Sequence, residues 1–199
     1  MSEPRIGRLL VASLHQGIAD VLPDRLEFYE NWINAPGLRG GSIGLAPLSA
    51  VLSFLRAEGD PYNLVTARAG EYAADWKLDA MGGLKRRLHL ALPAPLRARA
   101  ALRTARSLVR STYPGSRALT KVRKGTASVD LRGSLFCEVR QASALPLCGF
   151  YAAAIARVLR RYQIETQGRV EECRAAGSHR GCRMSFVIAR GGTGQAEAA

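Results

Sequence analysis

All four cysteines of the chain, Cys137, Cys148, Cys173 and Cys182, fall after residue 136. Cysteine used as a small core residue scatters along a sequence, whereas a metal site gathers soft thiolates from separate elements to complete a tetrahedron. Cys148, Cys173 and Cys182 read as three ligands of such a site, and Cys137, Glu171, Glu172 or His179 as the fourth. The competing use is as buried free thiols, which are common in cores. Clustering and the flanking acids favour zinc in a structural role.

A second feature able to do chemistry is charge. The net charge is +13, and no acidic residue occurs between Asp79 and Asp130. That stretch holds Lys85, Arg86, Arg87, Arg97, Arg99, Arg103, Arg106, Arg110, Arg117, Lys121, Arg123 and Lys124, twelve cations that nearly account for the excess. A field of one sign attracts carboxylates, phosphates, nucleic acid or an anionic membrane surface. The competing reading is a solvated face in a chain where arginine outnumbers lysine by 25 to 4.

The elements that must position these groups are helical first and extended later. Ile6, Leu9, Leu10, Leu14, Ile18 and Val21 recur at helical spacing over residues 5–22, and Pro23 stops the run. Further helices fit 25–33, 47–56 and 70–81, with a strand over Tyr62 to Ala67 and a glycine-rich loop over 36–47. Over 95–111 the arginines Arg99, Arg103, Arg106 and Arg110 share one stripe of a helix, with Ala98, Ala101, Leu102, Ala105, Leu108 and Val109 opposite. Strands over 118–123 and 126–131 flank a Lys124-Gly125 turn. A helix over 147–162 turns Cys148, Tyr151, Ile155, Val158 and Tyr162 inward. Strands over 165–174 and 183–189 place Cys173 and Cys182 at the two ends of a hairpin connection.

At 199 residues and 47% apolar composition the chain is expected to form one globular domain. No apolar stretch approaches the roughly 20 residues of a membrane-spanning helix, and MSEPRIGRLL lacks the layout of a signal peptide. A cytoplasmic location is expected, where reducing conditions favour thiols or metal ligands over disulfides. The glycines of 36–47 match neither a dinucleotide fingerprint nor a phosphate loop.

The run CGFYAAAIARVLRRYQIETQGRVEECRAAGSHRGCRMSFVI, from Cys148 to Ile188, resembles the C-terminal signature of the 4-vinyl-reductase (4VR) domain family: a cysteine opening a helix, a Glu-Cys strand, and a cysteine before a final strand. Upstream, AGEYAADWKLDAMGGLKRRLHLALPAPLRARAALRTARSLVRSTYPGS is similar to the region preceding that domain in the so-called bacteriochlorophyll 4-vinyl reductases. The resemblance implies an α+β fold of the NO-signalling/Golgi-transport ligand-binding kind, with N-terminal helices packed on an antiparallel sheet. It divides the chain into an N-terminal helical part of the same unit (1–60) and a small-molecule-binding domain (61–190), and the composition of GGTGQAEAA predicts a disordered tail (191–199). The resemblance further implies a homodimer and a zinc held by cysteines corresponding to Cys148, Cys173 and Cys182. The glutamate of the phenol-sensing relatives falls where this chain has Val170, so Glu171 or Cys137 must substitute.

A vinyl reductase needs a hydride or electron source, and the chain carries no nicotinamide fingerprint, flavin motif or iron–sulfur spacing. A carrier or assembly factor for a carboxylated tetrapyrrole needs an apolar surface for the macrocycle and cations for its carboxylates. Tyr72 and Trp76 are the candidate ring contacts, and Lys85, Arg86, Arg87 and Arg103 the candidate cations. A pigment-biosynthesis enzyme would then be a partner. The alternatives are a vinyl reductase or its subunit, and a sensor for another hydrophobic ligand. Nucleic-acid or membrane-surface binding through the arginine stripe ranks last, because no aromatic residues interleave with the basic run. His15 and His89 read as packed or surface histidines rather than haem ligands.

Overall fold

The computed structural model describes residues 6–33, 42–139, 142–179 and 181–188. Helix α1 (Arg8–Val21) forms where Leu10, Val11, Leu14 and Ile18 recur on one buried face, and it ends just before Pro23. Strand β1 (Ile6–Gly7) precedes it and pairs antiparallel with β2 (Ser42–Ile43). Helices α2 (Leu26–Ile33) and α3 (Leu45–Ala57) pack on each other beside α1. Residues 36–41 of the expected glycine-rich loop and the expected disordered tail 191–199 lie outside the described residues. The remainder of that loop is β2 and the first turn of α3.

The expected strand over Tyr62 to Ala67 is instead the first part of one long helix, α4 (Pro61–Asp79). Pro61 suits the opening turn, where its missing N–H costs nothing. Tyr62, Val65, Thr66, Ala69, Ala73 and Ala74 are buried along it, so helical burial on two sides overrides the β preference of Val65 and Thr66. Helix α5 (Gly83–Leu90) has no buried residue, so its leucines mark no core face. Helix α6 (Ala94–Thr112) has the two faces expected of it, with Arg99, Arg103, Arg106 and Arg110 exposed and Ala98, Ala101, Leu102, Ala105, Leu108 and Val109 buried.

The second half is a four-stranded antiparallel sheet in the order β3-β4-β6-β5, crossed by one helix. Its members are β3 (Arg117–Arg123), β4 (Thr126–Arg132), α7 (Gly149–Arg161), β5 (Gly168–Glu172) and β6 (Cys182–Val187). Ala127, Val129 and Leu131 of β4 alternate inward with Met184 and Phe186 of β6, as a half-covered sheet requires. Seven α-helices are thus packed with the sheet among the described residues, and the class is α+β as expected. The tiers run α1, α4, α7, sheet, since α4 packs extensively on both α1 and α7 while α7 also rests on α6 and β5. Small residues set the spacing. A Cβ at Gly17 would come within 2.7 Å of the Val65 carbonyl oxygen, and one at Gly70 would overlap that of Phe150.

The β3–β4 hairpin closes through Lys124 (φ 46°) and Gly125 (φ 77°), the two left-handed positions of a two-residue turn. Lysine carries a steric cost there that asparagine largely escapes. Lys124→Asn is expected to raise stability by about 0.5 kcal/mol, seen as a higher urea midpoint with unchanged slope.

Candidate metal centre and cationic cleft

Four separate pieces of chain deliver the thiols. Cys137 ends a single 3₁₀ turn (Leu135–Cys137) after β4, and Cys148 is the residue capping the start of α7. Cys173 follows β5, and Cys182 opens β6. Between the last two the chain doubles back through Gly177 (φ 96°) and Gly181 (φ 115°), conformations that side chains other than glycine resist. The start of α7 is itself fixed from α4, where the Tyr62 hydroxyl donates to the Leu147 carbonyl at 2.9 Å.

The four sulfurs lie within 4.8 Å of one another, and all four residues are buried. Cys137 Sγ is 3.5 Å from Cys173 Sγ and 3.4 Å from Cys182 Sγ, and the last two are 4.0 Å apart. Zinc–sulfur bonds of about 2.3 Å at tetrahedral angles put sulfurs about 3.8 Å apart, so the arrangement fits one tetrahedral ion. The surroundings suit thiolates too. The Leu147 N–H points at Cys173 Sγ (3.4 Å) and the Arg174 N–H at Cys182 Sγ (3.5 Å). The thiols of Cys137 and Cys148 hold Cys173 and Cys182 well below the usual thiol range. Cys148 is pushed up in turn by its thiol contacts with Cys137, Cys173 and Cys182. Without a cation the four cannot share this small apolar space as anions, and a divalent ion removes that conflict.

Among the proposed fourth ligands it is Cys137 that the fold brings to the other three. Glu171 is exposed, at the irregularity between Val170 and Glu172 where β5 slips against β6. Glu172 is paired with Arg183 at 3.0 Å and accepts from Ser178, and His179 is exposed. Sequence spacing alone gave no sign that the backbone N–H groups of Leu147 and Arg174 would face the sulfurs.

The six candidate ligand contacts separate into three groups. Lys85 and Arg103 come together on a cleft of about 440 Å³ between α4, α5 and α6, also lined by Lys77, Met81, His89 and Thr104. No carboxylate among the described residues lines it. Arg86 turns back to Asp79 at 3.7 Å, and Arg87 is exposed. Tyr72 and Trp76 lie together, with ring centroids 5.6 Å apart. The Tyr72 hydroxyl donates to Asp20 at 2.6 Å, and the Arg68 guanidinium stacks over its ring. That hydrogen bond, reinforced by Arg68, holds the Asp20 carboxyl below its ordinary range. Lys85 and His89, four residues apart, share the face of α5 turned to the cleft, and Lys77 comes from the last turn of α4 with Met81 just beyond its end. His89 is half-buried, its Nδ1 2.9 Å from the Tyr162 hydroxyl, which lies 2.9 Å from Thr104 Oγ1. His15 pairs with Glu30 at 2.7 Å.

Neither a family model nor a curated protein matches the chain. Solved structures do match it. An Fe(II) unliganded H-NOX protein mutant from K. algicida is 15% identical, covers 92% of this chain and 95% of its own, and superposes with a TM-score of 0.58. A doubly substituted H-NOX protein designated Tt is 8% identical, covers 97% of this chain and 100% of its own, and gives a TM-score of 0.51. The chain therefore has an H-NOX-like fold. At these identities the likeness is one of fold.

Proposed function

We propose that the chain is a 4VR-type small-molecule-binding protein, a carrier or assembly factor for a carboxylated tetrapyrrole, with one structural zinc held by Cys137, Cys148, Cys173 and Cys182. The observation that carries the binding role is the cleft of Lys77, Lys85 and Arg103, where cations converge with no carboxylate among the described lining residues. Propionate-like groups would meet these cations, and the macrocycle would lie across Met81 and the stems of the lysines. The H-NOX-like fold supports a tetrapyrrole or another small ligand as the occupant. An open cleft also suits a protein that must hand its ligand on, because release needs no unfolding of the tightly packed α4–α7 contact.

When bound, zinc supplies a cross-link between the start of α7 and the β5–β6 hairpin, and a shell of four sulfurs leaves it no open position. The residues around it maintain that shell by burial and N–H donation. Reduction of a vinyl group would fall to a partner enzyme that brings the hydride. The exposed rings of Phe28, Trp32 and Phe54, with centroids 5.2 Å apart along the row, offer an apolar face for a second copy in the expected homodimer.

Titration with protoporphyrin and with its dimethyl ester, followed by Soret absorbance, tests the reading. The free acid is expected to bind at least about tenfold more tightly than the ester. Lys85→Glu with Arg103→Glu should erase that difference. Equal affinity for acid and ester in the unaltered protein would remove the cationic cleft from the site, and absence of binding to both would exclude a tetrapyrrole.

A further inference from the structure

The arginines of this protein fall into two populations. Arg68, Arg157, Arg160, Arg161 and Arg183 each meet a carboxylate within 3.4 Å. Of the twelve cations between Asp79 and Asp130, Arg86 alone pairs with an acid among the described residues. The unpaired ones include the exposed row Arg99, Arg103, Arg106 and Arg110 along α6, and Arg87 on α5. Leucines are interspersed with them. Leu84 is 75% exposed and Leu88, one turn further on the same face of α5, is 61% exposed, while Leu96 in the first turn of α6 is 45% exposed.

Helix α5 is held from beneath, through His89 to Tyr162 and through Arg86 to Asp79. Its outer face is therefore presented to the surroundings, although it shields no apolar residue of its own. A helix that shows leucines and cations outward, next to a second cationic helix face, has the composition of an element that lies in a lipid headgroup layer.

We infer that the outer face of α5 and α6 docks on an anionic lipid surface, Leu84 and Leu88 entering the headgroup boundary and Arg87, Arg99, Arg106 and Arg110 meeting lipid phosphates. The inference is separate from the cleft ligand, since these side chains are not in the cleft. Lipid fits better than nucleic acid. From residue 82 to residue 112 the chain has no Phe, Tyr or Trp on which a base could stack, and its one imidazole, His89, is half-buried against Tyr162, while leucines contribute nothing to phosphate-backbone binding.

The test is co-sedimentation of the full-length protein, without added tetrapyrrole, with vesicles of phosphatidylcholine alone or mixed with phosphatidylglycerol. Mixed vesicles are expected to bind at least about tenfold more protein at low salt, the excess shrinking as salt is raised. Leu84→Ser with Leu88→Ser should weaken binding to mixed vesicles about tenfold. Arg99→Glu, Arg106→Glu and Arg110→Glu together should lower it to the level of neutral vesicles. All of these side chains are exposed, and unaltered circular dichroism and metal content would show that the fold is intact. In an otherwise unaltered protein, Leu88→Trp should add emission that shifts to the blue only when mixed vesicles are added. Lack of preference for mixed vesicles overturns the proposal. So does binding that is indifferent to the leucine replacements, which would be plain electrostatic adhesion. Light scattering in which those replacements convert a dimer to a monomer while vesicle binding persists would assign the face to a second copy and overturn it as well.

Discussion

Cys137→Ser is expected to abolish metal binding and to cost the protein about 3 kcal/mol or more of stability, whereas Glu171→Gln leaves both unchanged. The difference follows from position. Cys137 Sγ lies 3.5 Å or less from two other thiols in the buried cluster, and Glu171 is exposed where β5 slips. Removing one of four ligands leaves three thiolates to share a site that shields them from water, so the ion loses a bond and the remaining anions lose their counter-charge together. The unaltered protein should hold one zinc per chain by elemental analysis, and a chelator should lower its melting temperature. Acidification should do the same, because protons compete with the ion for the sulfurs and affinity falls as pH falls. Unaltered metal content in Cys137→Ser, with loss in Glu171→Gln, would show that the ligand set is wrong. A metal-free protein indifferent to chelator would return the four residues to the role of packed thiols.

The sequence made three of those four cysteines conspicuous through the elements that carry them. Cys148 opens a helix with a clear inward face, and Cys173 and Cys182 flank a connection marked by Gly177 and Gly181. Cys137 carried no comparable signal. It is placed by a single 3₁₀ turn, whose one hydrogen-bonded loop leaves no periodicity to read, and by tertiary packing of Phe136 against Phe150. The same distinction runs through the fold. Helices α1 and α6 and the β3–β4 hairpin have one buried and one solvated face, and α7, though covered by α4 and the sheet, keeps Arg157, Arg160 and Arg161 on one side, so their patterns are visible along the chain. Helix α4 is covered by α1 on one side and α7 on the other, so its apolar residues lose the single-stripe pattern and Val65 and Thr66 look like strand. Helix α5 buries nothing, so its leucines mark no core face. The cationic cleft lies between these two poorly legible helices and α6. Lys85 and Arg103 could be named as cations from the sequence, but their meeting could not.

Gly70→Ala should be as damaging as the loss of a thiol, although it adds only one methyl group. Gly70 lies in the middle of α4, where alanine ordinarily stabilises a helix by about 1 kcal/mol. Here the added Cβ would overlap the carbonyl oxygen of Phe150 and come within 3.0 Å of the Ala154 amide nitrogen. Both are backbone atoms of α7, which no side-chain rotation can clear. The helices must separate, at a cost of about 3 kcal/mol, near the upper end for an overpacked core. Separation would also move Cys148, two residues before Phe150, away from thiols anchored on the sheet. Stability and zinc affinity should therefore fall together in Gly70→Ala, and added zinc should recover part of the lost melting temperature by mass action. Gly83→Ala is the matched comparison, since a Cβ there meets nothing within 4 Å and should leave zinc affinity untouched. If Gly70→Ala lowered stability while zinc affinity stayed at the unaltered value, the metal centre would be independent of the α4–α7 contact, and the placement of Cys148 would have to come from the sheet side alone.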